Sequence, residues 1–291
     1  MLNLIHAKTF LAIIDAGGLR PAARHLAIAP STALQHIRQL EQELGAPLLE
    51  RRRGAFCPTA QGAIFLPLAR SLIATAERAK DVMTKSSLRI AAASNVGTYL
   101  LQNLLASFRA GTGSEVSLWI GANPVVSDHL QRGQADVAIL ERWNDVSGFE
   151  AHVWRHEPLV VIADPRHPFA QRKTISPDDL IGQRILGGES GTGTGMLLRR
   201  ALGKVAVKLQ TIDGYSNTEA VKRAVRAGEG ISIVMRSAVA DEVASGTLVG
   251  LSLKDVPLIK PIRIALPAST PTTSPARQFL AHALEQRPAF A

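Results

Sequence analysis

Between Pro30 and Leu44, hydrogen-bonding side chains collect on one side of the chain. Ser31, Gln35, Arg38 and Gln39 fall together at helical spacing, whereas Ala33, Ile37, Leu40 and Leu44 recur at i, i+4, i+7 and i+11 on the opposite side. Hydroxyls, carboxamides and a guanidinium in one strip nearly free of acid are what base edges and phosphate oxygens accept. A few residues on, Arg51-Arg52-Arg53 precede Gly54, three consecutive cations at the tip of a turn. A solvated charge cluster is the plain alternative for them; beside the first strip, phosphate contact is the better reading. The candidate DNA contacts are Ser31, Thr32, Leu34, Gln35, Arg38, Gln39, Arg51, Arg52 and Arg53. His36, on the flank of the same helix, is read as a backbone or phosphate contact or as a plain surface residue.

A second polar set stands at turns where predicted strands hand over to predicted helices. It comprises Ser94, Asn95 and Thr98, then Asn123, then Ser190, Thr192 and Thr194, then Asn217 and Thr218. Hydroxyls, amides and free backbone N–H groups at helix starts favour a carboxylate, sulfate or phosphate. Glu189 and Glu219 are the only acids among them, and Tyr99 and Tyr215 the only aromatic residues nearby. The set predicts a small anionic ligand, without a further cofactor.

Other chemistry finds no support in the spacing. The run Gly187 to Gly195 lacks the lysine of a phosphate-binding P-loop, ends G-x-G-x-x on Met196, and has Thr192 where a G-x-S-x-G elbow needs glycine. His152, His156 and His167 have no carboxylate at a recognisable ligand spacing, so no metal site is expected. Asp178-Asp179 follow Ser176-Pro177 and read as a helix first turn, not a catalytic pair. Cys57 is the only cysteine, which excludes an intramolecular disulfide and a thiolate zinc site and fits a reducing compartment.

Elements must hold these groups. Leu4, Ala7, Phe10, Leu11 and Ile14 predict a first helix ending near Gly17-Gly18. Pro21 is read as the first residue of a short second helix with Ala22, Ala23 and Leu26 buried, Ala27 to Ala29 as a tight connection, and Pro30 as the start of a third helix stopped by Gly45 and Pro47. A short helix, a turn and a second helix with a polar outer face is a helix-turn-helix. Gly45 to Gly62 reads as two extended pieces about Arg53-Gly54, a wing. Gln61 to Met83 predicts a long amphipathic helix with Pro67 in its early turns, able to kink it or reset its start. After Thr84-Lys85-Ser86-Ser87, strands and helices alternate. Strands are expected at 88–93, 115–120, 135–140, 154–163, 184–187, 206–212, 231–235 and 258–266. Helices are expected at 97–109, 124–132, 193–202, 218–227, 237–243 and 276–287. Such alternation predicts two α/β halves with mostly parallel sheets.

The 291 residues are enough for two or three domains. Residues 1–87 hold 11 Lys/Arg against 6 Asp/Glu and residues 88–291 hold 22 against 18, so the net charge of +9 is denser in the first third. Basic charge suits a phosphate backbone or an anionic membrane, but no basic amphipathic anchor, signal peptide or apolar span of about 18 residues supports the membrane. The chain is expected in the cytoplasm, associated with the nucleoid.

The first third resembles the winged helix-turn-helix of the LysR-type transcriptional regulators. Phe10, Ala22-Ala23…Leu26, Ile37-Arg38…Leu40-Glu41…Leu44-Gly45, Pro47-Leu48-Leu49-Glu50-Arg51 and Thr59…Gly62 carry that resemblance. Leu34 departs from it where a hydroxyl commonly faces DNA, and Arg20 where a Ser or Thr would cap a helix. The rest resembles the effector region of that family, in the branch of the cysteine-biosynthesis and Calvin-cycle regulators, through Ser94 to Leu100, Gly133 to Ile139, Asp164-Pro165…His167-Pro168, Glu189 to Thr194 and Asn217 to Ile231. Gly195 stands where the branch often has Arg. The resemblance implies a winged helix-turn-helix at 1–60, a linker dimerisation helix and hinge at 61–87, and an effector-binding region at 88–291 with a type-II periplasmic-binding-protein-like fold. Within that region, subdomain 1 would take about 88–163 plus 266–291 and subdomain 2 about 164–265. It also implies a non-enzymatic, sequence-specific regulator that binds promoter DNA, a small-molecule effector between the subdomains, and itself, as a dimer through 61–83 and as a tetramer. A small-molecule enzyme or solute carrier on the same α/β fold and a DNA-binding protein without sequence preference are the alternatives. The first lacks a catalytic constellation, and the second leaves the α/β region without a role.

Overall fold

The computed structural model describes residues 2–52, 55–84, 87–188, 193–215 and 217–287, with backbone alone at 81–84. Two compact units divide the chain, Met1–Ser87 with Asp128–Ala135, and Leu88–Ser127 with Asp136–Ala291.

The first unit begins with α1 (Leu4–Asp15), capped by the Asn3 carboxamide, which accepts the Ile5 N–H. It is followed by α2 (Leu19–His25), α3 (Pro30–Leu44), the hairpin strands β1 (Leu49–Arg52) and β2 (Ala55–Pro58), and α4 (Ala60–Thr84). Phe10 and Ile13 of α1, Ala22 of α2, Ile37 and Leu40 of α3, Leu48, and Phe65 and Ala69 of α4 make its core. Small residues at Ala7, Ala22 and Ala33 let the helices approach, and Phe10 packs on Phe65 with ring centroids 5.5 Å apart.

Pro30 is the first residue of α3 and Gly45 ends it in the left-handed region at φ 69°, as the sequence predicts. Three expectations need correction. α2 starts at Leu19, not Pro21, because Gly18 takes the N-cap position; Pro21 still falls in the first turn, where a missing N–H leaves no intrahelical bond unmade. Leu44 is exposed although it lies on the apolar register, since the core ends one turn earlier at Leu40. Pro67 does not reset α4, which runs unbroken from Ala60.

The second unit takes, in chain order, β3 (Ser87–Ala93), α5 (Ser94–Tyr99), α6 (Gln102–Thr112), β4 (Glu115–Gly121), α7 (Asn123–Gln131), β5 (Val137–Leu140), β6 (Phe149–Ala163) and β7 (Thr174–Ile175). Then come β8 (Arg184–Leu186), α8 (Gly193–Leu202), β9 (Gln210–Ile212), α9 (Thr218–Arg226), β10 (Ser232–Met235), α10 (Ala240–Ala244), β11 (Val249–Leu253), β12 (Ile259–Pro267) and α11 (Pro275–Glu285). α7 spans the boundary between the two units.

The principal sheet has the order β4-β3-β5-β12-β6-β11-β7, with β10 also on β6. β3 and β5 are parallel, but β12 runs antiparallel to both β5 and β6, and β10 and β11 run antiparallel to β6. The sheet is therefore mixed where a mostly parallel one was expected. The reason lies in β6. Its 15 residues pair with β12 from Phe149↔Pro267 to Pro158↔Ile259, then continue onto β10 at Leu159↔Met235 and onto β11 at Val161↔Leu251. One strand thus serves both halves. The register shifts between Ile262 and Arg263, where Trp154 of β6 is passed over as the extra residue of a bulge. The predicted helix at 97–109 is two helices, because the Gln102 side chain takes the Gly97 carbonyl and Leu101 turns into the core between them. The segment 206–212 is a 3-10 turn at Ala206–Lys208 followed by β9, and 237–243 divides likewise into a 3-10 turn at Arg236–Val239 and α10. β11, at Val249–Leu253, has no counterpart in the sequence reading.

Candidate functional site

The DNA-facing candidates are built on α3 and the hairpin. Ser31, Gln35, Arg38 and Gln39 are exposed on α3, while Thr32 and Leu34 are half-buried. The turn between α2 and α3 is closed by the Ile28 N–H on the Ala23 carbonyl, with Ala27 at φ 53°. His36 takes neither of its two expected roles. Its Nδ1 lies 2.9 Å from Thr9 Oγ1 and its ring 4.8 Å from that of His6, so it faces α1. Burial and the neighbouring His6 hold its pKa below the usual value, which keeps it neutral there.

Sequence reasoning marked Glu41, Thr59 and Gly62 without assigning work to them. Glu41 Oε1 accepts the N–H groups of Leu48 (2.7 Å) and Leu49 (3.2 Å), tying α3 to the base of the hairpin. Thr59 Oγ1 donates to the Pro47 carbonyl at 2.7 Å and accepts the Gly62 N–H at 3.0 Å, fixing where α4 starts. A Cβ on Gly62 would lie 2.0 Å from the Leu48 carbonyl oxygen, so only glycine lets α4 pass the hairpin this closely. The hairpin's orientation on α3 follows from these contacts. Arg51 lies over the Phe56 ring at 5.0 Å, and Arg52 reaches Glu50 at 2.7 Å; both are exposed. Arg53 lies outside the described residues.

The polar set of the second unit converges on a cleft of about 530 Å³. Ser94, Asn95 and Thr98 come from α5, which directly follows β3, Thr194 from the first turn of α8, and Asn217 and Thr218 from the start of α9. Two hydrogen bonds span the cleft, Thr218 Oγ1 to Asn95 Oδ1 and the Tyr99 hydroxyl to Glu219 Oε1, each 2.8 Å. Thr98 donates back to the Ser94 carbonyl, and Asn217 caps α9 by accepting the Ala220 N–H.

Asn123 is the correction in this set. Its Oδ1 accepts the N–H groups of Glu141 and Arg142, and its Nδ2 donates to the Arg142 carbonyl. The amide is spent fastening the start of α7 to the segment after β5, and Asn123 does not line the cleft. Ser190 and Thr192 lie outside the described residues.

Sequence reasoning missed two buried lysines beneath the cleft. Lys260, 4% exposed, reaches Glu141 at 2.6 Å and the Thr194 hydroxyl at 3.2 Å. Lys222 reaches Glu219 and Glu242 at 2.6 Å each and lies over the Tyr99 ring at 5.3 Å. Burial alone would lower the Lys222 pKa, but hydrogen bonds to the two glutamates outweigh it and hold it above the usual value. The bond from Lys222 in turn lowers Glu219. Burial, reinforced by Glu219, raises the Tyr99 hydroxyl, so Tyr99 stays a donor. Among the described residues, Glu141 at the cleft is paired with Lys260, and Glu219 shares Lys222 with Glu242. Only a lysine at helical spacing on α9 could have hinted at Lys222; nothing local marks Lys260. Among the described residues no three His, Cys, Asp or Glu side chains gather as a metal site.

An exposed polar recognition helix with a hairpin wing, joined in one chain to an α/β unit with a polar ligand cleft, defines a ligand-responsive DNA-binding transcriptional regulator. Residues 4–63 match the bacterial regulatory helix-turn-helix proteins of the lysR family, and residues 83–288 match the LysR substrate binding domain. The chain belongs to the LysR family of transcriptional regulators and, like its relatives, is not an enzyme. It is 40% identical over 196 residues to the putative HTH-type transcriptional regulator protein PtxE of Stutzerimonas stutzeri, covering 67% of this chain and all of that one. It is 30% identical to the HTH-type transcriptional regulator CysL of Bacillus subtilis, over 79% of each chain. The solved regulatory domain of Synechocystis CcmR in complex with 2-PG shares the fold of the second unit, with a TM-score of 0.63, 23% identity, and coverage of 70% of this chain and 98% of that one. No helix of the described residues is long and apolar enough to cross a membrane.

Proposed function

We propose that this regulator responds to a small anion bound in the cleft lined by Ser94, Asn95, Thr98, Thr194, Asn217 and Thr218. The observation that carries the reading is the convergence of these six expected effector residues on one cavity from three separate segments. The N-terminal turns of α8 and α9 add partial positive charge there, and the Lys260 ammonium, paired with Glu141, holds the Thr194 hydroxyl at the cleft. The CcmR regulatory domain, which shares this fold, was itself solved with a small ligand, 2-PG.

The exposed strip Ser31, Gln35, Arg38 and Gln39, flanked by Thr32 and Leu34, would read the major groove, with Arg51 to Arg53 on phosphates. Residues 1–60 are the DNA-binding domain, 61–87 the linker helix and hinge, and 88–291 the effector region, divided at about 163 and 265. Ile64, Leu68 and Leu72 leave an exposed apolar stripe at i, i+4 and i+8 of α4, which supports a dimer through that helix and, from two dimers, a tetramer on cytoplasmic, nucleoid-associated DNA.

Calorimetry on the full chain against phosphate, sulfate and small carboxylates tests the cleft. Saturable binding that is lost in Ser94→Ala and Thr194→Val, with promoter affinity kept, is the expected result. Binding only of neutral or cationic compounds would overturn the anion assignment.

A further inference from the structure

A second cavity, of about 940 Å³, shares no lining residue with the cleft. Its wall is the part of β6 from Val153 to Leu159, where the strand leaves β12 for β10, together with the 3-10 turn at Arg236, the end of β11, the segment leading into β12, and Arg287. It therefore touches both long strands of the sheet at the point where they pass from one half to the other.

Its charges are unbalanced toward the positive. Arg155, Arg236 and Arg287 face Glu157 and Asp255. Glu157, 1% exposed, is already engaged: one carboxylate oxygen takes Arg155 Nη2 at 2.8 Å and the other the Ser237 N–H at 2.9 Å. Arg236 and Arg287 are exposed and have no ion pair among the described residues. Trp154 is only 4% exposed. Leu253, Val256 and Leu258 supply apolar wall. Two exposed guanidiniums beside an apolar wall, in a volume within the range of small-molecule sites, describe a ligand pocket.

We propose that this cavity is a second effector site, for an organic anion with an apolar body. Arg236 and Arg287 take the carboxylate or sulfonate, and the hydrocarbon lies on Leu253, Val256 and Leu258. Because the occupant bears on β6 and the approach to β12 together, it biases the connection between the two halves without entering the cleft.

The test uses the full chain carrying Trp119→Phe and Trp143→Phe, which leaves Trp154 as the only tryptophan of three. The probe is 8-anilinonaphthalene-1-sulfonate, read by energy transfer from Trp154 and displaced with octanoate. Saturable transfer at one site per chain is expected, weakened about tenfold or more by Arg236→Ala with Arg287→Ala and unchanged by Ser94→Ala. These arginines are exposed and their replacement leaves the core intact. Absence of saturable transfer, failure of octanoate to displace it, or affinity indifferent to both arginines overturns the proposal. Loss on Ser94→Ala alone overturns it too, because it assigns the probe to the cleft and leaves the reading of the cleft standing.

Discussion

Gln35 is exposed on the outer strip of α3, one turn from Ser31 and Arg38, with no hydrogen-bond partner among the described residues. Its amide can donate to and accept from adenine at once, an arrangement worth about 1–3 kcal/mol of discrimination. Gln35→Ala should relax base preference at one position per half-site, measured by binding to a panel of singly substituted operators. Uniform weakening across the panel would make Gln35 a backbone contact instead. A different residue governs acid stability. Asp164 is buried and accepts hydrogen bonds from the Arg166 side chain and backbone, which lower its pKa from 3.8 to about 2. Since the folded value lies below the unfolded one, this contribution is complete above pH 3.8 and disappears as the pH falls towards about 2. Thermal melts across that interval should fall less steeply for Asp164→Asn than for the wild type, and equal slopes would remove Asp164 from the acid transition.

The hairpin and the long helix make their predictions as elements. Glu41 and Thr59 fix the base of the hairpin, and with it the position of β1 relative to α3. Replacing Arg52 and Arg53 by alanine should reduce the slope of log K against log salt by roughly one to two, as lost phosphate contacts require. An unchanged slope would take the hairpin off the DNA backbone. On α4, neighbouring residues do different work. Leu72 belongs to the exposed stripe, whereas Ile73 packs on the unit's own core. Leu72→Asp should therefore yield smaller species in sedimentation with a melting temperature near wild type, while Ile73→Asp should destabilise the fold itself. A Leu72→Asp chain that sediments as wild type would show that the stripe is no seam.

At the scale of the whole ligand-binding unit, the cleft is bridged by bonds between residues more than a hundred positions apart. Tyr99 meets Glu219 and Asn95 meets Thr218, with Lys222 and Glu242 behind them. A ligand that stabilises the bridged arrangement is helped by each bridge. Tyr99→Phe removes one net hydrogen bond, about 1 kcal/mol, and should weaken effector binding by about fivefold with unliganded operator affinity unchanged. Calorimetry and gel retardation on the same protein read both quantities. Effector affinity that does not move would mean that the bridge and the ligand are uncoupled.

What the sequence determined by itself was local. The register of Ala33, Ile37 and Leu40, the stop at Gly45 and the start at Pro30 all follow from spacings within a few residues, because helix faces and caps are set by near neighbours. The helix first turn read in Ser176-Pro177-Asp178-Asp179 is there for the same reason, as a 3-10 turn over Pro177–Leu180. Most of the cleft was legible too, since strand-to-helix turns bring hydroxyls and amides to one end of an α/β sheet. The tertiary structure decided the rest. Asn123 looked like its neighbours in type and position, yet the chain after β5 comes close enough to consume its amide. Lys260 and Glu141 are 119 positions apart and meet only because β12 lies between β5 and β6. Nor could periodicity indicate that β6 would pair with one half and then the other. Alternation fixes which face a residue takes, but the choice of partner strand depends on where distant segments of the chain are brought together.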